Sequence, residues 1–203
     1  FPFQLFYWDY GIGVLALALI IAFTFGSIGS QGRPFLVDLS QASTLSLSLA
    51  LIGGVIFNLS NVLLVAAIDI VGMSTAFPVA VGLGLVLGVV INYIAVPVGN
   101  MGLLALGLLF ILFAIILSAY AYSRLPSAKK SSLVGVVISL VSGVFMGLFY
   151  RFVAAAMSVN FSMPKHGLVT PYTAMVLFSV GLFLSSFILN ILKEEAGGTL
   201  RVK

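Results

Sequence analysis

The chain consists of long apolar runs separated by short stretches rich in Gly, Pro, Asn and Ser. An apolar run of about 20 residues is long enough to cross the hydrocarbon core of a bilayer as an α-helix. Six such membrane spans are predicted along the chain. In chain order they are Tyr10–Phe25, Thr44–Ile68, Thr75–Val96, Met101–Tyr122, Ser132–Met157 and Pro171–Leu192.

The second predicted span carries polar residues on one face. At 100° per residue, an arc of roughly 80° contains Gly54, Asn58, Asn61, Val65 and Asp69. An amide in hydrocarbon is costly unless it meets a partner, a cavity or a substrate. We therefore expect Asn58 and Asn61 to line a polar substrate pathway. The alternative is that both amides hydrogen-bond a neighbouring helix and only hold the bundle together.

A related face lies on the fifth predicted span and is made up of Gly135, Ser139, Ser142, Met146 and Tyr150. Two serines, a tyrosine hydroxyl and a soft thioether suit a neutral polar ligand, so Ser139, Ser142 and Tyr150 join the predicted pathway. A packing face is equally compatible with this pattern, because Gly143-x-x-x-Gly147 lies beside it.

The third predicted span combines small residues with a further amide. Gly84-x-x-x-Gly88 is a close-packing pattern, and Pro78 lies about one turn into the span, where it can kink the helix or begin it. Asn92 is a third amide within the membrane and fits a packing contact as well as a ligand contact.

Basic residues are divided unequally between the two sides that alternating spans define. One side carries Arg124, Lys129, Lys130, Lys193, Arg201 and Lys203, whereas the other carries Arg33 and Lys165, with Arg151 near it. The richer side, which holds the 122–131 loop, is predicted to be cytoplasmic. Asp9 and Asp69 then lie at the cytoplasmic mouth of the pathway.

Composition excludes several classes of function. The chain is 62% hydrophobic and 7% charged and has no cysteine, which indicates a membrane protein without disulfides or thiolate chemistry. No catalytic or metal-binding motif is present, so no enzyme activity, metal or cofactor is expected. The basic residues lie in loops and at the tail, so the net charge of +4 does not indicate nucleic-acid binding.

Five sequence blocks within or beside these spans form a recognisable pattern. They are Leu5-Phe-Tyr-Trp8-Asp9-Tyr, Gly53-Gly54-Val-Ile-Phe-Asn58-Leu-Ser-Asn61 running on to Asp69-Ile-Val-Gly72-Met, Ala76-Phe-Pro78-Val, Gly143-Val-Phe-Met-Gly147-Leu-Phe-Tyr150 and Thr170-Pro171-Tyr-Thr-Ala. Together they resemble the drug/metabolite transporter superfamily, in the branch that holds glucose/ribose porters and ureide permeases. The predicted loop at 122–131, which would join the two halves of such a carrier, is short. Plant ureide permeases have a long loop there, so the short loop favours the porter-like relatives.

The resemblance implies an all-α carrier of ten helices, built as two inverted repeats of five around a central site. On that scheme, residues 1–121 hold most of the first repeat without its first helix. Residues 122–131 form the cytoplasmic joining loop, 132–192 begin the second repeat, and 193–203 form a cytoplasmic tail or loop. The chain is expected to be a fragment of such a carrier. The coupling ion, a proton or sodium, is left open, because its site could lie on the missing helices.

These observations predict an integral protein of the cell membrane whose partners are the lipid bilayer and a small-molecule substrate. We expect a permease that works by alternating access on a small, polar, uncharged metabolite, such as a sugar or a ureide-like nitrogenous heterocycle. The alternative is a non-transporting membrane scaffold or an inactive carrier fragment, in which Gly and Asn serve packing alone.

Overall fold

The computed structural model describes residues 3–28, 31–124 and 132–195, and it describes the side chains of 8–28, 31–121, 124 and 132–187. Its regular elements are all α-helices, which confirms the predicted all-α class. In chain order they are α1 Phe3–Phe23, α2 Phe25–Ile28, α3 Phe35–Gln41, α4 Thr44–Val71, α5 Met73–Ala95, α6 Met101–Ser123, α7 Leu133–Ala156 and α8 Pro171–Glu195.

Five segments of the described chain are long and apolar enough to cross a membrane, namely Trp8–Ile28, Thr44–Val71, Met73–Ala95, Met101–Ala121 and Leu133–Ala156. The sixth predicted span corresponds to α8, whose described apolar part, Pro171–Phe187, is shorter than the others. Five of the six spans are therefore supported, and the ten-helix arrangement of two inverted repeats stays a prediction.

The first helix and the segment after it differ from the sequence prediction. Helix α1 begins at Phe3 instead of Tyr10, because the aromatic N-terminal residues continue the apolar helical run. Two short helices, α2 and α3, follow, whereas the sequence predicts the end of the first span at Phe25 and then a connecting loop over residues 26–41. The sequence also predicts an interfacial aromatic belt of Phe1, Phe3, Phe6, Tyr7, Trp8 and Tyr10, of which the first four lie outside the described side chains.

Two joints between helices have a clear local cause. A single residue, Gly72, separates α4 from α5, and its φ of +81° is in the left-handed region that glycine adopts without strain. Between α5 and α6, Asn100 caps the next helix, because its Oδ1 accepts hydrogen bonds from the backbone N–H groups of Gly102 at 2.9 Å and Leu103 at 3.2 Å.

The chain packs as two compact units, and the first comprises Phe1–Asn58 and Phe152–Lys203. Its core is made largely of small residues, which allow helices to approach closely. One cluster of buried residues is Ala50, Val153, Ala156, Val169 and Ala174, and a second is Ala18, Ala22, Phe35 and Val176. Helix α1 packs along α8, where the ring of Trp8 lies edge-on to Phe183 and Phe187 at centroid distances of 5.6 and 5.7 Å.

The second unit comprises Leu59–Arg151, with a core of Leu64, Ala67, Val71, Ala76 and Ala80. Glycines bring α5 and α7 together within it. A Cβ added at Gly143 would lie 2.7 Å from the carbonyl oxygen of Ala80, and one at Gly147 would lie 2.6 Å from Cβ of Leu87. Both distances are shorter than side chains tolerate, so α7 can approach α5 this closely only with glycine at these positions.

The two units form a different division of the chain from the predicted repeats of 1–121 and 132–192. Helices α4 and α7 contribute residues to both units. Most of the predicted joining loop, 125–131, lies outside the described residues, as does the tail from residue 196 onward. The predicted repeats therefore stay a prediction.

Candidate functional site

A polar cluster joins α4 to α8 in the first unit. Asn58 is wholly buried, and its Nδ2 donates hydrogen bonds to Oγ of Ser185 at 2.9 Å and Oγ of Ser186 at 3.1 Å, with a longer contact of 3.4 Å to the carbonyl oxygen of Leu182. Both serine hydroxyls donate to that same carbonyl at 2.9 Å. Oδ1 of Asn58 is buried and has no partner among the described residues.

The position of this cluster follows from the close approach of the α4 and α8 backbones. A Cβ on Gly54 would overlap the carbonyl oxygen of Phe178, and a Cβ on Gly181 would overlap that of Leu51. Asn58 lies one turn after Gly54, and Ser185 lies one turn after Gly181, so short side chains can bridge the interface. The sequence prediction missed Ser185, although Gly181-x-x-x-Ser185 has the spacing of small residues that is typical of such contacts.

A second buried polar contact lies between α4 and α7 in the second unit. Ser60 Oγ donates to the carbonyl oxygen of Ser142 at 2.9 Å, and Ser142 Oγ donates to that of Ser60 at 2.8 Å. Ser139 is also buried, and its hydroxyl donates to the carbonyl oxygen of Gly135 within α7 at 2.8 Å. In this conformation Ser139 and Ser142 therefore use their hydroxyl protons within the protein.

A groove of about 380 Å³ lies between α5 and α7 in the second unit. Its walls are mostly apolar side chains and glycines, including Gly84, Gly88 and Gly147, and two of the predicted pathway residues, Asn92 and Tyr150, line it. Nδ2 of Asn92 donates to the carbonyl oxygen of Gly88 at 2.7 Å, and within the described chain Oδ1 of Asn92 makes no hydrogen bond. The Tyr150 side chain is 48% exposed.

The remaining predicted residues are distributed over both units. Asn58 belongs to the first unit, whereas Asn61 belongs to the second and is half-buried on α4. Asp9 on α1 and Asp69 on α4 are both exposed. Pro78 lines a smaller crevice of about 170 Å³ between α5 and α6. Of the predicted pathway residues, the structure thus brings Asn92 and Tyr150 into one groove.

The sequence prediction missed a buried ion pair in the first unit. Asp38 on α3 is fully buried, and its Oδ1 lies 2.8 Å from NH2 and 2.9 Å from Nε of Arg33. Its Oδ2 accepts hydrogen bonds from the backbone N–H of Thr170 at 2.7 Å and from the Thr170 hydroxyl at 3.0 Å. Asp38 therefore accepts hydrogen bonds from both the backbone and the side chain of Thr170, the residue that immediately precedes α8.

Arg33 makes further hydrogen bonds beside this ion pair. NH1 donates to Oε1 of Gln41 at 3.0 Å, and NH2 donates to the carbonyl oxygens of Lys165 and Leu168. We call the set of Arg33, Asp38, Gln41 and Thr170 the loop clasp, because it ties 31–41 to the segment that leads into α8. The sequence contained a signal for this ion pair, because Arg33 and Asp38 have opposite charges and are the two charged residues between Asp9 and Asp69.

Comparison with known proteins places the chain in a family. A family model described as ureide permease matches residues 6–126, which is more than half of the chain. The chain belongs to the ureide permease family. The match supports the ureide permease part of the predicted branch, and a closer relation to the porters stays a prediction.

Individual ureide permeases of plants are similar to parts of this chain. It is 38% identical over 91 residues to Probable ureide permease A3 of Vigna unguiculata, which covers 43% of the chain and 24% of that relative. It is 24% identical over 241 residues to Ureide permease 1 of Arabidopsis thaliana, covering 91% and 62%. It is 37% identical over 90 residues to Ureide permease 2 of the same plant, covering 43% and 23%.

The chain therefore spans less than two thirds of the length of each of these relatives. No solved structure matches it. Membership of a permease family, together with five apolar helices of spanning length, indicates an integral membrane protein.

Proposed function

We propose that this protein is a permease that carries a small, polar, uncharged compound of the ureide kind across a membrane. The observation that carries the proposal is the ureide permease match over residues 6–126, which coincides with four of the five apolar segments. The relatives are ureide permeases by name, and this favours a transporter over an enzyme.

The chemistry of the α5–α7 groove supports this substrate class. Cyclic ureides such as allantoin carry N–H donors and carbonyl acceptors without a net charge at neutral pH. In the groove, Oδ1 of Asn92 can accept from an N–H, and the Tyr150 hydroxyl can donate to a carbonyl. A volume of about 380 Å³ is within the usual range for small-molecule sites, and glycine-lined walls leave room for a flat ring. We propose this groove as part of the substrate pathway.

We further propose that transport proceeds by alternating access in a ten-helix carrier of two inverted repeats. Pro78 supports bending of α5, because proline lacks the N–H that would bond the carbonyl of Ser74 one turn earlier. The excess of basic residues on the side of the 122–131 loop supports a cytoplasmic position for that loop in the cell membrane.

Uptake of radiolabelled allantoin into proteoliposomes that contain the full-length protein tests this proposal. We expect saturable uptake that excess unlabelled ureide reduces and excess glucose does not. Tyr150→Phe removes one hydrogen bond and should raise KM by about 3- to 10-fold. Tyr93→Phe, which changes a tyrosine of α5 outside the groove, is the matched control and should behave as wild type. Absence of uptake by folded wild-type protein would overturn the proposal, and competition by glucose would favour a sugar as substrate.

A non-transporting membrane scaffold is a second candidate, favoured by one observation. Asn58, Ser60 and Ser142 all bond other helices, as packing residues do. For a scaffold, substitutions at these positions would lower the thermal stability of the detergent-solubilised protein, and neither wild type nor variants would take up allantoin.

A further inference from the structure

The Asn58 side chain is held in one orientation by α8. Its Nδ2 has two protons, and two serine hydroxyl oxygens accept them at 2.9 and 3.1 Å. Those hydroxyls in turn donate to the carbonyl oxygen of Leu182, so the donors of this network all have acceptors. Among the residues that the structure describes, the acceptor Oδ1 has no partner, although the side chain is 0% exposed.

Rotating the amide by 180° would not relieve this mismatch. Oδ1 could then accept from Ser185 and Ser186, but both N–H groups of Asn58 would become buried donors without acceptors. Unpaired buried N–H groups are rarer than under-satisfied oxygens, and each costs free energy comparable to a lost hydrogen bond. The two serines therefore determine which end of the amide remains available, and that end is an acceptor.

We propose that Oδ1 of Asn58 accepts a hydrogen bond from an N–H group of the transported compound, and that Ser185 and Ser186 are positioning residues that orient it. The assignment rests on the proposed permease function and deepens it. It predicts selectivity for an N–H donor, because an acceptor group of the solute would face Oδ1 with a like partial charge.

A neutral N–H donor fits this position better than a metal cation. A cation needs several oxygen ligands, and Ser185 and Ser186 already accept the N–H groups of Asn58. Among the described residues, no group of three His, Asp or Glu side chains is close enough to hold a metal. Full enclosure of Asn58 is expected of one state in a cycle that opens the site to each side in turn.

The test is the binding of hydantoin, 1-methylhydantoin and 3-methylhydantoin to the purified full-length protein by calorimetry. Methylation removes one N–H at a time. For wild type, we expect one methylated ring to bind about 5- to 100-fold more weakly than hydantoin, as expected when a buried acceptor loses its donor. In Asn58→Leu this ratio should fall to near one. In the double variant Ser185→Ala/Ser186→Ala it should fall at least severalfold.

Ser179→Ala is the matched control on α8, because the Ser179 hydroxyl bonds the carbonyl of Met175 in its own helix. It should retain the wild-type ratio. If Asn58→Leu fails to fold, the double serine variant carries the same comparison.

The outcomes distinguish failure of the proposed function from failure of the Asn58 assignment. If folded wild-type protein binds no hydantoin, the proposed function and this assignment are both overturned. If wild type binds hydantoin but the methylation ratio is the same in Asn58→Leu, or in the double serine variant, only the assignment is overturned. The amide then serves the contact between α4 and α8.

Discussion

Asp38 is the buried member of the loop clasp, and we expect its replacement by Asn to destabilise the first unit. The substitution keeps the shape of the side chain but removes its charge and one acceptor oxygen. Removing one partner of a buried ion pair costs about 3–5 kcal/mol, because the other charge is left uncompensated. Arg33 keeps the carbonyl oxygens of Lys165 and Leu168 as acceptors, which reduces the loss. We therefore expect Asp38→Asn to lower the free energy of unfolding by about 2–4 kcal/mol.

Thermal unfolding can be followed through the intrinsic fluorescence of Trp8. It is the single tryptophan of the chain and packs on Phe183 and Phe187 of α8, within the same unit as the clasp. For a chain of this size, 1 kcal/mol corresponds to about 2–4 °C in Tm. The expected decrease in Tm for Asp38→Asn is therefore roughly 5–15 °C.

Asp9→Asn is the matched control, because it makes the same chemical change at an exposed position of α1 in the same unit. Its Tm should stay close to that of wild type. A double variant, Arg33→Gln/Asp38→Asn, should lose less stability than the sum of the two single variants, since it leaves no buried charge unpaired. A Tm for Asp38→Asn equal to that of Asp9→Asn would refute the reasoning.

Two further predictions concern glycines at helix contacts. Gly54→Ala places a methyl group inside the backbone of α8 and should abolish the monodisperse peak in size-exclusion chromatography. Gly107→Ala should keep that peak, because no atom of the described residues lies within 4 Å of the added Cβ. Equal behaviour of the two variants would contradict the close contact at Gly54. Gly147→Ala should lower Tm by several degrees because of its overlap with α5, whereas a Cβ at Gly88 meets its nearest atom at 3.8 Å and should be tolerated. A larger loss at Gly88 would count against the described packing of α5 on α7.

Most of the helical architecture could be predicted from the sequence, because apolar length is a local property. Span positions and the joint at Pro97–Asn100 are properties of single segments, as is the start of α8 at Pro171. Helix α2 continues the apolar segment that ends at Ile28. Helix α3 could not be predicted in this way, because its sequence is short and mixed in polarity, and because it lies where Asp38 can reach Thr170, a residue far away in the chain.

The candidate site was less predictable than the helices. Asn92 and Tyr150 were identified by type, but their position in one groove follows from the packing of α5 on α7. Ser185 and Ser186 could not be predicted as site residues, because serine is common in membrane helices and their partner, Asn58, is 127 or 128 residues away in the chain. Likewise, Arg33 was counted only as a loop charge, although its partners include carbonyl groups of the distant loop before α8.

The sequence by itself determined that the chain is helical, that it belongs in a membrane, and that Asn58 must find a partner. These properties depend on backbone hydrogen bonds within each segment and on the cost of polar groups in hydrocarbon. Only the tertiary structure decided which partner Asn58 finds and which of its atoms is left over. That outcome depends on the contact of α4 with α8 at Gly54 and Gly181, where the two backbones touch because neither residue has a Cβ.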